Sequence, residues 1–140
     1  MNGQLFLGTA HLLLLKGEDE AAYRSAVSRA YYACYITTRD LALKTCSRRS
    51  RAKVGPKILH TNLPIYLKNG LNDDVKRLGQ ALSSLYGMRL RADYKMVEHI
   101  SKTRAKQVVV DADFFINELY RIPEEEIGRA MDAYIELGHD

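Results

Sequence analysis

Residues Asp19 to Lys44 read DEAAYRSAVSRAYYACYITTRDLALK, and their spacing decides the fold. Ala22, Ala26, Ala30 and Ala33 recur at intervals of three and four, and Tyr23, Ala30, Tyr31 and Cys34 follow the same helical repeat. No glycine or proline interrupts the run, so it predicts one long α-helix. Its small residues admit a close neighbour and its tyrosines fill the space between. Working outward, Asn2 to about Lys16 predicts a preceding helix, with Leu5, Ala10, Leu12, Leu13 and Leu15 as core candidates. Gly17 ends it, and Glu18, Asp19 and Glu20 suit the positive start of the long helix.

Downstream, Cys46 to Pro56 lacks an apolar period and reads as a loop. A short segment from Lys57 to Lys68 is interrupted near Pro64, which cannot donate to a helix ladder, and Asn69-Gly70 is a turn. Asn72 or Asp73 caps a helix to about Lys95, with Val75, Leu78, Leu82, Leu85 and Tyr86 inward. Another runs from Ser101 to about Tyr120, with Ala105, Val108, Ala112, Phe115 and Leu119 inward. Val108-Val109-Val110 is strand-like, but its flanks are helical. Pro123 and the three glutamates after it open a last short helix. The expectation is all-α: one domain over residues 1–140, an antiparallel bundle of five or six helices, with 121–140 a C-terminal acidic helix.

Length and composition fit that expectation. A chain of 140 residues, 46% hydrophobic and 27% charged, buries a sizeable core unaided and is unlike a disordered chain. Cys34 and Cys46 are too few for a disulfide framework and lack the CxxC spacing of a metal knuckle. They fit a reducing cytoplasm. The longest purely apolar run, Leu12 to Leu15, is far short of a membrane span, and no basic residue precedes it as in a secretory leader.

Charge is unevenly spread. The net value is +4, yet residues 39–106 hold sixteen Lys and Arg against five acids, and residues 111–140 hold nine acids against Arg121 and Arg129. The densest basic stretch carries Arg48, Arg49, Arg51, Lys53 and Lys57 among Ser, Gly and Pro, a composition suited to phosphates. A solvated loop balancing the acidic C-terminus has the same composition.

Two stretches concentrate polar groups on otherwise apolar helices. In Ser28-Arg29-Ala30-Tyr31-Tyr32-Ala33-Cys34-Tyr35, the tyrosines and Arg29 cannot all point outward, so Arg29 is expected to be paired or to face a polar cleft. In Leu85-Tyr86-Gly87-Met88-Arg89-Leu90-Arg91-Ala92-Asp93-Tyr94, Arg89 and Asp93 stand four apart, and Arg91 and Tyr94 three apart. A guanidinium fork, a carboxylate and a phenol at one helix end can grip a phosphate and polarise a hydroxyl. Of the histidines, His60 follows the basic loop and His99 follows the second stretch, while His11 and His139 look incidental. No metal-ligating spacing, phosphate-cradling glycine loop or nucleophile elbow is present, so no metal or cofactor is expected.

Taken together, Tyr23 to Ala33, His60 before a short helix, and Leu85-Tyr86 leading into Arg89-Leu90-Arg91-Ala92-Asp93-Tyr94 resemble the HEPN domain. The likeness is to its short stand-alone prokaryotic branch, and it covers about residues 5–120. It implies a helical bundle that forms a homodimer across its motif helices. Many such domains are metal-independent ribonucleases whose signature is an Arg followed, after roughly four to six residues, by a His. Others bind RNA or nucleotides, or partner a minimal nucleotidyltransferase in toxin–antitoxin pairs. Arg89 takes the signature Arg position, but Tyr94 stands where the His is expected, and His99 lies beyond the family range. A phenol near pKa 10 is a poor base at neutral pH, whereas imidazole suits the task.

On this resemblance Arg89 holds a phosphate, Asp93 or His99 handles protons and Tyr94 positions the ribose, so that the 2′-hydroxyl attacks. Arg29, Tyr32, Arg91, Arg48, Arg49 and His60 are the candidate RNA or nucleotide contacts. Two further readings stand beside the ribonuclease or toxin: a non-catalytic RNA, nucleotide or nucleotidyltransferase-docking module, and a bundle whose tyrosines only pack a dimer. A helix-turn-helix DNA reader lacks its short base-reading helix.

Overall fold

The Asp19–Lys44 expectation is met by a helix over Glu20–Thr45 in the computed structural model, which describes residues 2–55 and 58–138. In chain order the described helices are α1 (Gly3–Lys16), α2 (Glu20–Thr45), α3 (Arg48–Val54), α4 (Asn62–Lys68), α5 (Asp73–Tyr94), α6 (Lys102–Arg121) and α7 (Glu125–Glu136). No strand occurs among the described residues, and Val108–Val110 lies within α6. No described helix is long and apolar enough to cross a membrane. Expectations for Pro56, Lys57 and His139 fall outside the described residues.

Local chemistry explains most boundaries. Asp19 Oδ1 accepts from the Ala22 amide at 2.9 Å and starts α2. Asn72, rather than Asp73, caps α5, accepting from the amides of Asp74 and Val75. Ser101 Oγ accepts from the Arg104 amide at 3.1 Å and starts α6. Pro64 falls in the first turn of α4, where a missing N–H costs nothing. Gly17 stops α1 with extended backbone; a Cβ there would strike the Ala22 side chain and the Leu13 carbonyl.

Seven described helices exceed the expected five or six because Cys46–Pro56 is not simply a loop. Ser47 caps α3, accepting from the Ser50 amide, and Asp132 accepts from the Ser47 amide at 3.0 Å and the Ser50 hydroxyl at 2.5 Å. A carboxylate far along the chain thus supplies the stop and start that local periodicity does not show.

Contacts divide the chain into two compact units, Met1–Thr37 with Ser84–Ile116, and Thr38–Ser83 with Asn117–Asp140. Within the first, Ala26, Ala30, Ala33 and Cys34 are fully buried, as are Ala105 and Ala112. The N-terminal end of α1 lies so close to α2 that a Cβ on Gly3 would meet the Ala33 carbonyl at 2.8 Å. This packing corrects the α1 core: Gly3, Ala10 and Leu14 are buried, whereas Leu5, Leu12 and Leu15 are exposed. Gly3 admits the close helix, and Leu5, Leu12 and Leu15 are left at the surface. Within the second unit α7 packs on α3 and α4, burying Ile127, Ala130, Met131 and Ile135. Gly128 lies directly against the backbone of Thr45 and Cys46.

Candidate functional site

In the first unit the inward face of α2 carries a tyrosine ridge. Tyr31 is fully buried, its ring centroid 5.5 Å from Tyr32, 5.9 Å from Tyr35 and 5.5 Å from Tyr86. Burial drives the Tyr31 hydroxyl far above its ordinary pKa, so this residue packs and exchanges no proton near neutrality. Cys34 is likewise pushed up by burial, its thiol 3.7 Å from the Ala112 carbonyl, and is a core residue.

Arg89 meets the edge of that ridge. Its Nη2 donates to the Tyr32 hydroxyl at 2.8 Å. Its Nε sits 2.8 Å from Asp93 Oδ2, but the N–H is not aimed at that oxygen; the contact is an ion pair without a directed hydrogen bond. Asp93 Oδ2 also accepts from the Ser28 hydroxyl at 3.2 Å. The guanidinium lies over two rings, 5.2 Å from the Tyr32 centroid and 5.5 Å from that of Tyr94. Burial opposes the charge on Arg89, but Tyr32, Asp93 and Tyr94 outweigh it and raise its pKa above the ordinary guanidinium value. The Arg89 side chain is only 12% exposed, whereas Tyr94 is 67% exposed. A fixed cation therefore stands beneath an open aromatic ring, an arrangement suited to a phosphate and a stacked base.

Arg29 does not join this network. It is exposed, its guanidinium 5.9 Å from the Phe6 centroid, and Phe6 in turn lies 6.0 Å from the Tyr32 ring. The buried arginine of α2 is Arg24, which sequence reasoning missed. It donates from Nη1 to the carbonyls of Arg91 and Ala92, both at 3.0 Å, and from Nη2 to the Glu98 carbonyl. Two of these carbonyls lie in the last turn of α5, where that of Arg91 also accepts from the Lys95 amide, and the third is in the segment after it, so Arg24 caps the helix that carries Arg89 and Asp93. The signal was present: Arg24 shares a helical face with Ser28, Tyr31 and Tyr35, and Arg29 does not.

His99 lies in the segment after α5. Its Nδ1 is 2.6 Å from Glu20 Oε1, which also accepts from the Ile100 amide at 2.8 Å, and its side chain is 79% exposed. The hydrogen bond from the Ile100 amide, helped by Arg24 and His99, holds the Glu20 carboxyl below its ordinary pKa and outweighs desolvation. Glu20 is thus a second residue the sequence did not single out. Arg91 is half-exposed, with Nε 3.9 Å from Glu98 Oε2. Arg48 and Arg49 are exposed on α3, and His60 is half-buried just before α4; these three belong to the second unit, and the Arg89 cluster to the first. Among the described residues no three His, Cys, Asp or Glu side chains group as metal ligands.

Comparison with protein-family models, with curated proteins and with solved structures finds no match to this chain.

Proposed function

We propose that this chain is a HEPN-like helical module that binds single-stranded RNA or a nucleotide through the Arg89 cluster. One observation carries the reading: a guanidinium fixed by Tyr32 and Asp93 lies 5.5 Å from the ring of an exposed Tyr94. Arg89 supplies charge to a phosphate, Tyr94 supplies a stacking face, and Ser28 keeps Asp93 turned toward its partner. With Asp93 committed to Arg89 and His99 to Glu20, the cluster holds no imidazole of its own, which favours binding over cleavage. Assembly of two copies through the motif helices belongs to the same reading, and the exposed Tyr94, Met96 and Val97 support it.

A ribonuclease is the second reading, favoured by the Glu20–His99 pair. A carboxylate on Nδ1 fixes the ring and leaves Nε2 as the proton acceptor. Retention of labelled RNA on a filter, in EDTA, separates the two. The binding reading expects intact RNA retained by the wild type, and retention reduced in Arg89→Met and in Tyr94→Ala, whose exposed ring can be removed without disturbing the core. Shortened RNA that His99→Ala leaves whole would favour the ribonuclease instead. Equal retention by all three chains would remove the binding reading.

A further inference from the structure

Two guanidinium groups from different helices converge on one uncharged atom. Arg91 Nη1 lies 3.9 Å and Arg104 Nη2 3.5 Å from the Met88 sulfur. The two cationic heads are therefore neighbours, separated by at most the sum of those contacts. A thioether is a weak acceptor without charge and neutralises neither. Arg104 makes no ion pair among the described residues, and the single carboxylate near Arg91 is that of Glu98, 3.9 Å away and part-exposed. Local sequence offers Arg104 no help, since the first turn of α6 holds no acid and Lys102 and Lys106 flank it.

The pair is also held in place. The Arg91 carbonyl is bound by buried Arg24, which fixes the end of α5, and the Arg104 amide is bound by Ser101, which fixes the start of α6. Adjacent like charges on anchored backbones, with a neutral atom between them, are stabilised by an anion that bridges the two forks. We infer that Arg91 on α5 and Arg104 on α6 form a clamp for a phosphate group. This deepens the RNA reading and rests on it for the source of the phosphate, an RNA backbone. The terminal phosphate of a free nucleotide has the same chemistry.

The experiment titrates the full chain with a single-stranded oligoribonucleotide, with ADP and with inorganic pyrophosphate, beside Arg104→Ala and Arg104→Lys. The clamp predicts about tenfold weaker oligonucleotide binding in Arg104→Ala, with a salt slope shallower by roughly 0.7. Arg104→Lys, which keeps the charge and loses the fork, falls between. Without ligand, Arg104→Ala melts no lower than the wild type, because a repulsive neighbour has been removed; a purely structural Arg104 would melt lower. If the oligonucleotide does not bind the wild type but ADP or pyrophosphate raises its melting temperature in an Arg104-dependent way, the clamp stands and the RNA reading falls. If the oligonucleotide binds the wild type and Arg104→Ala with one affinity and one slope, the clamp is overturned and the RNA reading survives. If no probe has an Arg104-dependent effect, the clamp is overturned.

Discussion

Replacing Arg24 by methionine removes a buried cation whose side chain is only 8% exposed and which donates to three backbone carbonyls. Methionine has nearly the same helix propensity, so α2 itself is not weakened. What is lost is the cap on α5 and the tie to the segment after it. Hydrogen bonds to a charged group are worth roughly 1.5–3 kcal/mol each, but they are not additive and the freed carbonyls near the surface regain water. A loss of about 3–5 kcal/mol follows, less than the sum of three such bonds. For a chain of this length that lowers the melting temperature by roughly 10–20 °C. Arg24→Lys keeps the charge, but the three N–H groups of an ammonium radiate from one atom and cannot span carbonyls that Nη1 and Nη2 reach separately, so about half the loss remains. Thermal and urea unfolding measure both variants, and amide exchange at Ile100 reports whether the segment after α5 loosens with the cap. A loss below about 1 kcal/mol in Arg24→Met would show that Arg24 does not cap α5, because that is the scale of an exposed ion pair.

Other consequences are as direct. Gly128→Ala should destabilise the chain by about 1–3 kcal/mol in urea unfolding despite the better helix propensity of Ala, because the new Cβ meets Thr45 and Cys46 backbone that cannot yield cheaply. Asp132→Ala strips the acceptor from the Ser47 amide and the Ser50 hydroxyl and should cost about 1–3 kcal/mol in the same assay, with loss of amide protection in α3. Glu20 is depressed in the folded chain, so its stabilising effect is present above the ordinary glutamate pKa and fades as pH falls through the lowered folded value. Protection of the Ile100 amide should follow that acid titration and lose the step in Glu20→Gln; an unchanged step would assign it to another group.

The helices were legible in sequence where one face repeats. On α5 the expected Val75, Leu78, Leu82 and Leu85 are buried, and on α6 so are Ala105, Val108, Ala112, Phe115 and Leu119. α1 was ambiguous because four consecutive leucines cover every face, and close approach of Gly3 to α2 decided which turned inward. α3 was illegible because its anchor, Asp132, stands 82 residues from Ser50. The pairing of Arg89 with Asp93 followed from four-residue spacing, whereas its partner Tyr32 is 57 residues away and needed the fold. Arg24 escaped notice because it donates to backbone carbonyls, which sequence patterns do not display, and Glu20 because the Ile100 amide it accepts from is 80 residues away.

Whether Arg89 serves an RNA phosphate is read by fluorescence anisotropy of a labelled single-stranded RNA titrated with the wild type and Arg89→Met at two salt concentrations. Circular dichroism confirms that both are folded. The wild type should bind saturably and more weakly at the higher salt, and the variant at least about tenfold less tightly. Equal affinities for the two folded chains, or no binding by the wild type at low salt, would contradict that role.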